Sequence, residues 1–149
     1  MIKKLLIVLL MIPMLVSAAS SSSSFGLGII LGEPTGISFK KWLTMDSAID
    51  GAAAWSFVGD AALRLHADYL LHTSSLDNLS HEGVLFYYGI GIKVKFAAQS
   101  QVGGRIPLGI TYEFPKAPLD AFFEIVPGLE LIPATKFTLA GAIGMRYYF

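Results

Sequence analysis

The thirteen residues Phe137-Thr138-Leu139-Ala140-Gly141-Ala142-Ile143-Gly144-Met145-Arg146-Tyr147-Tyr148-Phe149 alternate with a period of two. One face reads Phe137, Leu139, Gly141, Ile143, Met145, Tyr147 and Phe149; the other reads Thr138, Ala140, Ala142, Gly144, Arg146 and Tyr148. Strict alternation is the period of a strand and not of a helix. The second face holds a charge among small residues, a pattern suited to a confined interior.

The same alternation extends back to Phe25, broken by turn-forming clusters at Glu33-Pro34-Thr35, Gly59-Asp60, Pro115-Lys116-Ala117-Pro118 and Pro133-Ala134-Thr135. It predicts eight strands, at 25–32, 36–43, 47–57, 61–72, 83–96, 103–114, 119–132 and 137–149. In the fifth, Val84, Phe86, Tyr88, Ile90, Ile92, Val94 and Phe96 oppose Leu85, Tyr87, Gly89, Gly91, Lys93 and Lys95. In the seventh, Leu119, Ala121, Phe123, Ile125, Pro127, Leu129 and Leu131 oppose Asp120, Phe122, Glu124, Val126, Gly128 and Glu130. Most of these segments reach the roughly nine to eleven residues that a tilted strand needs to cross a bilayer.

Ahead of the strands, Lys3 and Lys4 precede an apolar run from Leu5 to Val16 and a small-residue exit at Ser17, Ala18 and Ala19. That is the pattern of a cleaved secretory signal peptide over 1–19, its apolar run short of the roughly twenty residues of a spanning helix. A serine spacer at 20–24 follows, and one domain fills 25–149. The chain has no cysteine, which leaves neither a disulfide framework nor a lipid-modified N-terminal Cys. Net charge is zero, so no long-range field points to nucleic acid. Hydrophobic residues make up 54% and the mean hydropathy is +0.60, yet no apolar stretch after Ser20 has the length of a membrane helix. A very apolar exported chain without a spanning helix leaves a core-rich secreted domain or a transmembrane barrel.

The charges choose between them. Lys40, Arg64, Lys93, Lys95, Arg105 and Arg146 share the small-residue face with Asp50, Asp68, Glu113, Asp120, Glu124 and Glu130, six of each sign. The apolar face carries one charge, Lys41, near a strand end from which its stem can snorkel. A Lys or Arg at the bilayer midplane costs about 2–4 kcal/mol, so a nearly charge-free face is what lipid demands. Outward aromatics form two girdles: Phe25, Tyr69, Phe86, Tyr88, Tyr112, Phe114, Tyr147 and Phe149 at one rim, Trp55, Phe57, Phe96 and Phe137 at the other. The expected fold is an all-β, eight-stranded antiparallel up-and-down transmembrane β-barrel. The alternative, a soluble periplasmic lipocalin-like barrel, would bury these aromatics as its core. Pro107 and Pro127 cannot donate to a ladder, and predict a bulge or fraying where they fall.

The alternation ending in Tyr147-Tyr148-Phe149 resembles the terminal-strand signal that bacterial outer-membrane proteins present to their assembly machinery, with Tyr147 and Phe149 as its aromatic positions. Over 25–149 the chain resembles the small barrels of the outer-membrane-protein-A/X type. Leu31-Gly32-Glu33-Pro34-Thr35-Gly36-Ile37-Ser38-Phe39, with Trp42, Asp50-Gly51 and Trp55, is similar to a poorly characterised family of short exported barrels. These resemblances imply the cell outer membrane of a Gram-negative-type bacterium, outer-membrane lipid as surroundings, and transit with periplasmic chaperones and the barrel assembly machinery. They also imply a monomer. Long loops usually face outward in such barrels, whereas here the longest connection, Thr73 to Glu82, falls on the periplasmic side.

Function is less legible. His72-Thr73-Ser74 resembles the His-x-Ser pairing of an outer-membrane lipid A deacylase, which implies His72 as base and Ser74 as nucleophile, but the following Asn of that pattern is Ser75 here. His66, Asp68 and His72 share a face and could hold a metal, against the blander reading of a hydrogen-bonded network. No cofactor and no catalytic residue is expected. Eight strands enclose an interior that side chains can fill. The reading is a structural or surface-interaction protein with a side-chain-plugged, charge-paired lumen. The alternatives are a lipid- or host-ligand-binding surface protein, with Ala97 to Gly104 exposed, and a lipid A-modifying enzyme.

Overall fold

The strands form where β-branched, aromatic and small residues alternate, and they stop where proline, glycine and short polar side chains supply the turns. The structure, a computed structural model, describes residues 24–32, 35–56, 61–73 and 83–149. The expected signal peptide, most of the serine spacer, the turns at 33–34 and 57–60 and the connection at 74–82 lie outside the described residues.

Nine strand segments follow in order: β1 (Phe25–Gly32), β2 (Gly36–Trp42), β3 (Ser47–Ser56), β4 (Ala62–Thr73), β5 (Val84–Phe96), β6 (Gln101–Arg105), β7 (Leu108–Glu113), β8 (Leu119–Ile132) and β9 (Lys136–Tyr148). Every pairing is antiparallel, consecutive strands pair except β6 with β7, and β1 pairs with β9, so the sheet closes on itself. Segments β6 and β7 occupy one position between β5 and β8, and the ring therefore has eight staves. Closure leaves no edge strand among them.

The interruption of the sixth stave at Ile106-Pro107 is not the bulge expected there. Gly91 pairs with Arg105 and Tyr88 with Leu108, so the register against β5 is continuous through the proline. Pro107 still accepts a hydrogen bond from Gly89 N at 3.0 Å, and Ile106 N donates to the Pro127 carbonyl at 2.9 Å. What each proline removes is its own donor, one ladder bond apiece. The register shift lies instead at Val102/Gly103 against β8, near the end of the stave. The exposed segment expected at 97–104 is correspondingly shorter, since the ladder begins again at Gln101.

Sidedness follows the alternation. Outward residues of β9, from Phe137 through Tyr147, are exposed, while Ala142, Arg146 and Tyr148 are buried. The rim that carries Phe25 and Tyr148 (the terminal rim) exposes Phe25, Tyr69, Tyr88, Tyr112, Phe114 and Tyr147. The far rim exposes Trp55, Phe96 and Phe137, and Phe57 lies outside the described residues. In the described strands the outward face carries one charge, Lys41, which pairs with Phe25 and Ile49 beside the terminal rim. A soluble lipocalin-like barrel is the reverse of this arrangement: the aromatics it would need as a core are exposed, and the charges line the inside.

Candidate functional site

Ion pairs and glycines together organise the lumen. Asp50 on β3 stands directly opposite Asp68 on β4, and Asp68 shares a row with Gly91 on β5 and Arg105 on β6. A Cβ at Gly91 would collide with Asp68 Oδ1. Its absence lets Arg105 reach across the intervening strand, with Nε 3.0 Å from Asp68 Oδ1 and Nη2 3.1 Å from Glu124 Oε1. Tyr87 Oη donates to Glu124 Oε2 at 2.9 Å.

A second group lies toward the terminal rim. Arg146 Nε is 3.1 Å from Asp120 Oδ1, its Nη1 is 3.7 Å from Asp50 Oδ2, and its guanidinium stacks 4.1 Å above the Phe122 ring. Tyr148 Oη donates to Asp120 Oδ2 at 2.5 Å. Lys40 Nζ bonds His72 Nε2 at 2.7 Å and sits 4.2 Å from the Trp42 ring centroid. These charges are almost wholly removed from water, Lys40 and Asp120 at 0% exposure and Arg146 at 1%. Around them Ile30, Ala52, Leu70, Tyr87, Phe122 and Ala142 form an apolar cluster inside the ring. Burying a charge is costly unless it is paired. Arg105 and Arg146 each face two carboxylates, while Asp50 Oδ1, both Asp68 oxygens, Arg105 Nε and Arg146 Nη1 have no hydrogen-bond partner among the described residues.

Three aromatic rings occupy space that glycines leave. Tyr87 pairs with Gly109, Phe122 with Gly144 and Tyr148 with Gly26, and at each glycine the nearest atoms to an added Cβ include the partner's ring. Each ring lies over the backbone opposite, where any larger side chain would displace it.

Of the twelve lumen residues expected, Lys40, Asp50, Asp68, Arg105, Asp120, Glu124 and Arg146 are buried and brought together. Glu113 is half-buried at the terminal rim. Arg64, Lys93, Lys95 and Glu130 lie apart from that cluster, around a cavity of about 640 Å³ that opens at the far rim. Lys93 Nζ donates to Thr138 Oγ1 across it at 2.7 Å. His72 joins the network through Lys40, in keeping with the hydrogen-bonded reading of its face, and Tyr87, Phe122 and Tyr148 join it without having been singled out for it. Their shared inward parity with the charges was the available signal.

Metal ligation gathers a different set from the one expected. The ligand atoms of Asp50, His66 and Asp68 lie within 4.8 Å of one another, while His72 is turned to Lys40. Both carboxylates already face guanidinium groups, whose charge takes the place of a cation's. For the His-x-Ser reading, the ring of His72 is engaged by Lys40, and Ser74 lies outside the described residues.

No family model matches the chain, and neither does any curated protein. Among solved structures, the crystal structure of the N-terminal β-barrel domain of Pseudomonas aeruginosa OprF is similar, with a TM-score of 0.57 and 15% sequence identity, covering 87% of this chain and 100% of that chain. At that identity the likeness is one of fold: the chain is an all-β protein whose single antiparallel sheet closes as a ring of eight.

Proposed function

We propose that the protein is an outer-membrane β-barrel of structural or surface-interaction type, closed to ions by the paired side chains of its lumen. The observation that carries this reading is the inversion of faces. Exposed Ile90, Ile92, Leu139 and Ile143 make an outward band that favours hydrocarbon, while the interior holds Arg105 and Arg146, each against two carboxylates. Contiguous apolar surface on this scale is unusual for a soluble monomer and is what a lipid-embedded barrel presents. Arg146 on β9 reaches Asp50 on β3 past β1 and β2, and Arg105 reaches Asp68 past β5, so these side chains project into the path an aqueous pore would need.

The test is electrical and cellular. Purified protein in planar bilayers gives no steady single-channel conductance, and expressed protein fractionates with the outer membrane and shows a heat-modifiable shift on gels. Steady conductance overturns the closed lumen; recovery as a soluble periplasmic protein overturns the membrane reading.

A further inference from the structure

The far-rim cavity differs in chemistry from the paired region beneath it. Its walls hold Arg64, Lys93, Lys95 and Lys136, and among the described residues that line it Glu130 is the one carboxylate. Arg64 and Lys95 stand directly opposite each other across β4 and β5, a like-charge cross-strand pair. Such pairs are destabilising unless something anionic lies between them. Arg64 is exposed and Lys95 half-exposed, so both heads reach solvent at the mouth. Glu130 pairs in register with Lys136 on the opposite wall, away from Arg64 and Lys95. Glu33 and Asp60 lie outside the described residues. About 640 Å³ is within the usual range for small-molecule sites, roughly 300–1,000 Å³.

We propose that this cavity binds a phosphate-bearing group, held by Arg64 and Lys95 at the mouth. A guanidinium presents paired donors that match phosphate oxygens, and the ammonium group adds point charge. Phosphate can arrive free in solution or on the head group of a neighbouring lipid, and the chemistry of recognition is the same. This goes beyond the closed, anchoring role and does not depend on it.

The experiment uses protein refolded in zwitterionic detergent and titrated calorimetrically with inorganic pyrophosphate, and in a parallel arm with phosphatidic acid added to the micelles. Arg64→Gln combined with Lys95→Gln weakens binding about tenfold or more, the equivalent of about 1.4 kcal/mol. Lys116→Gln, at the opposite rim, leaves it unchanged. In the absence of phosphate the double variant is no less resistant to urea than the native barrel, because a repulsive pair has been removed, and the heat-modifiable gel shift verifies its fold. Pyrophosphate binding identifies a soluble source; binding of phosphatidic acid alone, with the same dependence on Arg64 and Lys95, identifies a lipid. No binding in either arm, or equal weakening by Lys116→Gln, overturns the site.

Discussion

Asp50 and Asp68 face each other across β3 and β4 inside the barrel, two buried carboxylates turned to different guanidinium groups. Asp68 lies 3.0 Å from Arg105 and Asp50 lies 3.7 Å from Arg146. Neither arginine is dispensable in that geometry. Arg105→Met leaves Asp68 and Glu124 buried without their cation, and the loss expected for breaking one partner of a buried pair is about 3–5 kcal/mol. Arg64→Met, at an exposed position, costs far less. Urea unfolding of both variants in the same lipid measures the difference, and equal midpoints would remove the ion pairs from the account of stability.

Gly109 supports the ring of Tyr87, whose hydroxyl in turn bonds Glu124. Gly109→Val forces that ring away and separates the hydroxyl from the carboxylate, costing about 1–3 kcal/mol from overpacking alone. Gly104, where an added Cβ meets nothing nearer than 3.9 Å, is the control. Gly104→Ala folds with native efficiency; comparable refolding yields for the two variants would show that the aromatic–glycine fit is unimportant.

The two faces of β9 respond differently to polarity. Ile143 is 51% exposed on the outward face, and Ile143→Arg costs about 2–4 kcal/mol if that face meets lipid near the midplane. Ala140 points inward beside the cavity, so Ala140→Ser stays within about 0.5 kcal/mol. Insertion into vesicles, followed by protection from protease, reports both, and identical behaviour would mean the register is wrong.

Pro107 accepts from Gly89 but has no proton to return. Pro107→Val fills a similar volume and restores a donor opposite the Gly89 carbonyl, for a gain of about 0.5–1.5 kcal/mol. The new amide becomes slow to exchange in hydrogen–deuterium measurements. A fast-exchanging amide at 107 would show that the ladder is open there despite its continuous register.

Strand positions and sidedness were readable because period-two alternation is local. Leu119–Ile132 lies where the pattern places it, and the inward set of β9 is the small-residue set with Arg146. The partners inside the barrel were not readable. Arg105 reaches Asp68 and Glu124 on staves separated from it by many residues of chain, and which charges meet depends on the stagger of the whole ring, a quantity that no single strand encodes. The same limit hid the apolar layer of Ile30, Leu70 and Phe122, which read as exceptions on a polar face until closure brings them together. The proline at 107 misled for a related reason. One missing donor costs a hydrogen bond but does not shift the register when both neighbouring strands are long and already aligned.

Phe149 N donates to the Phe25 carbonyl at 3.0 Å, which sets the last residue of the chain beside the start of β1. A ring so closed has no privileged seam. The sequence could be rejoined at Phe149 and Phe25 by a short linker and cut anew in the turn at 97–100, and the eight staves would keep their neighbours. Such a circular permutant separates two kinds of information that coincide here, since the aromatic ending would no longer be terminal while every pairing in the wall remained available. If it refolds in detergent yet fails to be inserted in cells, the terminal aromatics serve as an address and not as structure.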